Sequence, residues 1–177
     1  MKNENETIKP VVTLVVIALL VGLILSVCNY YTEPVIAANE AEAALENYKL
    51  ALPEADSFTE MECDIEGVTA FLKADNGAGY VVTAQARGYG GQVPAVVSFT
   101  PDGTIENVIM TSNDETPGLG QKVTDEAFSK QFSGMKAENF ELEDIDAISG
   151  ATISSRASVN AINTAISAYN QMTGGEG

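Results

Sequence analysis

Hydropathy divides the chain into one long apolar block followed by short alternating segments. From Pro10 to Thr32 no residue is charged, and "VVTLVVIALLVGLILSV" (11–27) is apolar almost throughout. As a helix such a run covers roughly 30 Å, the hydrocarbon thickness of a bilayer. It predicts a transmembrane helix over 10–32 behind a short N-terminus over 1–9. The run is longer than the core of a signal peptide and no small-x-small cleavage pattern follows it closely, so it is expected to stay as an anchor. Val27 fills the place where a lipoprotein signal needs a small residue before Cys28, which argues against lipidation there. Lys2 and Lys9 precede the span and none of Thr32 to Tyr48 is basic. This bias puts the N-terminus in the cytoplasm and the rest of the chain outside the cell (inner) membrane, as a single-pass protein.

Beyond the span, Ala37, Ala41, Ala44, Leu45, Tyr48 and Leu52 repeat at the spacing of one helical face, and Pro53 closes the pattern. A connecting helix over 33–53 follows, continuing or kinking at Pro34. "VTAFLKAD", "GYVVTAQARG", "AVVSFTPDG" and "TIENVIMTSND" are rich in valine, threonine and aromatics and predict short strands. Pro101-Asp102-Gly103 marks a hairpin turn between the last two, so an antiparallel meander is the economical topology. "TDEAFSKQFSG" (124–134) predicts one short helix with Thr124 as N-cap and Gly134 past its end. Ala157, Ala161, Ile162, Ala165, Ile166 and Tyr169 share one face of a final helix expected to pack on the sheet. The fold class is α+β: a transmembrane helix, then one extracytoplasmic domain over 54–173, with a flexible tail over 174–177.

Composition narrows the chemistry. The 9 basic and 25 acidic residues give a net charge of −16, which repels phosphate backbones and excludes nucleic acid as a partner. With no histidine, the usual general base of hydrolases is missing and a transition metal is left with carboxylates and two distant thiols, Cys28 and Cys63. No catalytic residue and no metal site is expected.

Three glycine-bearing stretches exceed what the elements require: "RGYGGQVP" (87–94), "DETPGLGQK" (114–122) and "SGATISS" (149–155). Singly, each fits a turn or a helix start. Together they describe backbone that a ligand can approach closely, beside a helix start whose free N–H groups favour an anion. Such a site binds a phosphate without a basic cluster, and nothing in the spacing says which phosphate.

The order of "GYGG", "ETPGLG" and "DxxSGAT" behind one N-terminal span resembles the G subunit of the Rnf electron-transport complex. The C subunit of the sodium-pumping NADH:quinone reductase is its relative. The resemblance covers nearly the whole chain and implies FMN attached through its phosphate to the threonine of SGAT, here Thr152, by a flavin transferase that uses FAD. Ser149, Gly150 and Ala151 complete that signature, and Asp146 stands at its acidic position. Glu115, Thr116, Gly118, Leu119 and Gly120 match the family's flavin-contacting loop. Ser154 or Ser155 then becomes a candidate donor to the phosphate, while Lys122 and Arg156 read first as solvated surface charges. The implied role is an electron relay, rather than an enzyme on its own, within an ion-translocating ferredoxin:NAD oxidoreductase, partnered by the other subunits and the membrane. A stand-alone flavin carrier and a pilin-like structural protein are the alternatives. The pilin plan wants a glutamate inside the apolar helix, and none stands between Pro10 and Thr32.

Overall fold

The computed structural model describes residues 4–174, with side chains from Ile8 onward. Lys2 and residues 175–177 of the expected tail lie outside the described residues. The apolar block and the connecting segment form one helix, α1 (Glu4–Ala51), running through both Pro10 and Pro34. Its apolar residues from Val11 to Val27 are exposed along the protein, as a membrane span requires. Two compact units divide the chain, Met1–Leu45 and Glu46–Gly177. Ala51, the last residue of α1, and Leu52 just after it are fully buried in the second unit.

The domain holds a five-stranded antiparallel meander in sequence order: β1 (Phe58–Glu60), β2 (Val68–Ala74), β3 (Tyr80–Arg87), β4 (Gln92–Phe99) and β5 (Ile105–Met110). Strands β2 to β5 fall where valine-rich alternation predicts them. Three-residue β1 is too short to show a period and is fixed by pairing with Leu72–Ala74. Strand β4 takes Gln92, Val93 and Pro94 out of the first glycine stretch, leaving a tight turn in which Gly88 N–H donates to Gly91 O at 2.8 Å.

The long final helix, α3 (Thr152–Thr173), lies across β3 and β4. Its expected face is fully realised: Ala157, Ala161, Ile162, Ala165, Ile166 and Tyr169 are buried with Phe71, Val82, Val97 and Phe99 of the sheet. The Tyr169 ring stacks on Phe99 at 4.5 Å, and its hydroxyl donates to Thr100 O and Pro101 O at the β4–β5 hairpin. Fully burying one such Phe or Ile stabilises the fold by about 1.5–3 kcal/mol. A smaller core on the opposite face joins Ala51 and Leu52 to Leu72, Ala74, Val81 and Val96. There the buried Ser98 hydroxyl donates to Ala51 O at 2.6 Å and Asn107 Nδ2 donates to it at 3.0 Å, satisfying a carbonyl that the helix end leaves free.

The single helix expected over 124–134 is instead broken. Only α2 (Glu126–Ser129) is α-helical, between 3-10 turns at Gly120–Thr124 and Lys130–Phe132. Thr124 is not a cap, since its hydroxyl donates back to Gln121 O at 2.8 Å. The irregular path drops Phe128 and Phe132 side by side into the main core, a tertiary gain that outweighs helix propensity.

Candidate functional site

All three glycine-bearing stretches meet at the amino end of α3. The β3–β4 turn brings Tyr89. The loop after β5 brings a Thr116–Leu119 turn, in which Pro117 precedes Gly118 at φ +73° and Leu119 N–H donates to Thr116 O at 3.1 Å, the pattern of a type II turn. The approach to α3 brings Gly150 at φ +81°, a left-handed conformation that a side chain would resist, with Leu119 Cδ1 only 3.3 Å from where a Cβ would lie.

These loops enclose a cavity of about 470 Å³ lined by Tyr89, Thr116, Leu119, Gly120, Gly150, Ala151, Thr152, Ile153 and Ser154. That size falls within the range of sites for cofactors and other small molecules. Its rim carries Tyr89 at 70%, Ile153 at 57% and Leu119 at 40% exposure, whereas the other exposed large apolar side chain after Leu50 is Met135. Apolar surface is thus concentrated at this one mouth on an otherwise acidic domain. A larger hollow of about 630 Å³ lies against β1 and β2. Glu60, Glu62 and Asp64 line it, so it suits no anion, and none of the expected residues reaches it.

The amino end of α3 is open to an anion. It has no side-chain cap and no acidic residue in its first turn, and its first intrahelical donor is Ser155 N–H, to Ala151 O at 2.9 Å. The N–H groups before it point out of the helix with the positive end of the dipole behind them.

The hydroxyls crowded into this segment have separate fates. Thr152 is exposed and lines the cavity. Ser149 is exposed but outside the lining. Ser154, Ser155 and Ser158 are buried: Ser154 donates to Glu115 Oε2, Ser155 accepts from Ile148 N–H at 3.0 Å, and Ser158 donates to Ser154 O at 3.0 Å. Ser154 spends its proton on Glu115, and Ser155 is fully buried outside the cavity lining, so the geometry favours neither as a donor to a phosphate.

Glu115 also differs from its expected place. It is 1% exposed and sits behind the cavity, not in its wall. Burial alone pushes its carboxyl up, but the Ser154 hydroxyl and the backbone N–H groups of Gly90, Gly91 and Tyr89 outweigh that and hold it below the usual carboxylate range. Gly88 and Gly120 make the room: a Cβ on Gly120 would lie 2.7 Å from Ser154 Oγ and 2.9 Å from Glu115 Oε2, and one on Gly88 would collide with Glu115 Oε1.

Of the expected residues, Thr116, Leu119, Gly120, Gly150, Ala151 and Thr152 line the cavity, and Ser149, Glu115 and Gly118 do not. Asp146 is exposed, and its segment is tied by backbone N–H donation to Gln131 Oε1 at 2.6 Å. Lys122 is exposed, and Arg156 faces a separate groove with Glu141 and Glu143. Tyr89 and Ile153 were missed as lining residues. Tyr89 lay in plain view between glycines, and Ile153 is the apolar residue on the outward side of the first helical turn. Among the described residues no group of three or more acidic or cysteine side chains could hold a metal.

The FMN-binding domain family matches residues 88–167, the stretch that contains all three loops. The chain is 29% identical to the G subunit of the proton-translocating ferredoxin:NAD(+) oxidoreductase complex of Clostridium ljungdahlii, covering 99% of this chain and 98% of the relative. It is 33% identical to the G subunit of the ion-translocating oxidoreductase complex of Methanosarcina acetivorans, over 94% and 96% of the two chains. Among solved structures, the C subunit of the Na(+)-translocating NADH-quinone reductase of Parabacteroides distasonis shares the fold, with TM-score 0.50, 23% identity, and coverage of 60% of this chain and 61% of the other.

Proposed function

Because the chain belongs to the family of G subunits of ion-translocating oxidoreductase complexes, we propose that it carries FMN on Thr152 and relays electrons within such a complex. It is a membrane-anchored electron-transfer subunit with an FMN-binding domain. The observation that carries the covalent reading is that Thr152 presents an exposed hydroxyl in an apolar-rimmed cavity at the uncapped start of a 22-residue helix.

The residues present fit the group. Free N–H groups of the first turn of α3 suit the phosphate, and Tyr89, Leu119 and Ile153 offer apolar walls to a planar ring. Gly150 keeps the approach to Thr152 clear. When bound, the flavin supplies the redox chemistry, and the protein supplies position and electrostatic environment. In maturation by a flavin transferase, Thr152 Oγ1 attacks the phosphorus on the FMN side of FAD. The new P–O bond replaces the bond to AMP, which leaves, and the hydroxyl proton passes to the transferase or water. No electron changes hands in that step.

In this reading the domain lies outside the cytoplasmic membrane, with the N-terminus inside, as the lysines ahead of the span favour. A covalent link then keeps the carrier loaded where a free flavin would be lost. The test is the intact mass of wild type, Thr152→Ala and Thr152→Ser, each coexpressed with a flavin transferase. Wild type is expected to gain one FMN phosphoester, the serine variant to keep the modification, and the alanine variant to lack it. An unmodified wild type beside an active transferase refutes the assignment.

A further inference from the structure

A buried carboxylate in a chain of net charge −16 needs a reason, and among the described residues no lysine or arginine pairs with Glu115. Its neighbours are donors. Gly90 N–H reaches Oε1 at 2.9 Å from the β3–β4 turn, and the Ser154 hydroxyl reaches Oε2 from the first turn of α3. Glu115 itself belongs to the loop after β5, where its own N–H donates to Asn113 Oδ1 at 3.1 Å. One side chain therefore ties together the three segments that wall the cavity, although they lie far apart in sequence. Gly120 and Ser154 stand between it and the cavity, so it touches no ligand there.

On the basis of the reading given above, that Thr152 accepts the flavin phosphate, we propose that Glu115 is a positioning residue: by bonding Ser154 and Gly90 at once, it sets the first turn of α3 against the Tyr89 and Leu119 loops so that Thr152 meets the flavin in one geometry. Thr152 lies two residues before Ser154 and has no side-chain cap to fix it. The Glu115–Ser154 bond takes the place of a cap at that end, and it does so from behind, leaving the outward N–H groups free for the phosphate.

The arrangement also explains the choice of residue. Two donors meet on one carboxyl, one at each oxygen: the Gly90 N–H at Oε1 and the Ser154 hydroxyl at Oε2. An ionised carboxylate accepts from both. A glutamine can accept from Gly90 and donate to Ser154 Oγ, because a hydroxyl can reverse its role. It keeps both ties and loses only the charge. Alanine keeps neither.

The experiment uses the full chain, purified in detergent without flavin, then supplied with flavin transferase and FAD. Attachment is timed by the fluorescence of the denatured band, and the anisotropy of the attached flavin reports how firmly the ring is held. Glu115→Ala and Ser154→Ala are expected to slow attachment on the order of 10- to 100-fold, the scale for misplacing a reacting group by about 1 Å. Flavin attached to them should show lowered anisotropy. Glu115→Gln should restore both readings to near wild type, which a loss of overall stability would not do. Should Glu115→Ala lack a melting transition, Ser154→Ala decides, since it removes one tie and leaves the carboxylate. Folded variants that load at the wild-type rate with unchanged anisotropy overturn the proposal. Thr152→Ala separates the two levels: if it accepts flavin like wild type, the acceptor assignment has failed and this inference goes with it.

Discussion

Replacing Gly150 by alanine isolates what the turn before Thr152 contributes. Gly150 has φ +81°, and an alanine forced into that left-handed region costs about 1–2 kcal/mol. The added methyl would meet only Leu119 Cδ1, at 3.3 Å, the tip of a flexible and partly exposed side chain that can move aside. The stability loss should therefore be almost all backbone strain, a fall in Tm of about 4–8 °C for a domain of this size. Gly134 gives the matching control. It has φ +82°, a Cβ there would meet nothing within 4 Å, and it lies in the turn after Phe132, outside the cavity lining. Gly150→Ala and Gly134→Ala should melt together within a degree or two, measured by circular dichroism on the full chain in detergent. Their flavin attachment should part company. Gly134→Ala should load as wild type does, whereas Gly150→Ala displaces Leu119 and crowds the approach to Thr152, slowing attachment about tenfold on the same positioning scale. Equal loading of the two variants would refute the reasoning, reducing Gly150 to a turn residue with no part in the site. A much deeper destabilisation of Gly150→Ala would also refute it, since it would mean the segment cannot yield around one methyl group.

Two further outcomes follow from the packing. The Glu115 carboxyl is held below its usual range in the folded protein, so its contribution to stability is present above about pH 4.3, the ordinary glutamate value, and is lost as the pH falls through the lower folded value. Urea titrations across the acid range should show that loss in wild type and not in Glu115→Gln, and parallel curves would sink the assignment of a charged hub. Ser98→Ala removes the buried hydroxyl that donates to Ala51 O and accepts from Asn107 N–H at 3.0 Å. It should lower stability by about 1–3 kcal/mol while flavin attachment proceeds at the wild-type rate. Unchanged melting would show that Asn107 alone suffices to hold the end of α1.

Where hydrophobic period is strong, the fold is legible in the chain: the apolar block, the alternating strands β2 to β5 and the Ala/Ile face of α3 all stand where they were read. What escaped was decided by contacts distant in sequence. Strand β1 exists because Leu72–Ala74 offers an edge, α2 is broken because Phe128 and Phe132 both seek the core, and Ala51 and Leu52 are buried because they fill the second face of the sheet. At the site, the inward turn of the serines could have been read further than it was. Ser154, Ser155 and Ser158 lie two helical turns before Ala161, Ile162 and Ala165, so they continue the buried face while Thr152 falls outside it. Glu115 gave no such signal. An acidic residue in a Pro-Gly loop looks solvated until three loops are seen to close over it.

The crowding around that carboxylate also limits how this chain can change over evolutionary time. Gly88 and Gly120 leave no space for a methyl group while Glu115 is present, and Ser154 has a partner only while Glu115 remains. A side chain at Gly88 would also meet Val93 Cγ2 at 2.7 Å, and one at Gly120 would meet Ser154 Oγ at 2.7 Å and Glu115 Cβ at 2.9 Å, so shortening Glu115 clears neither and strands the Ser154 hydroxyl. Each single step is unfavourable even where the final combination would fold. These positions, spread from the third strand's end to the last helix, should therefore be inherited as a block, drifting together or not at all.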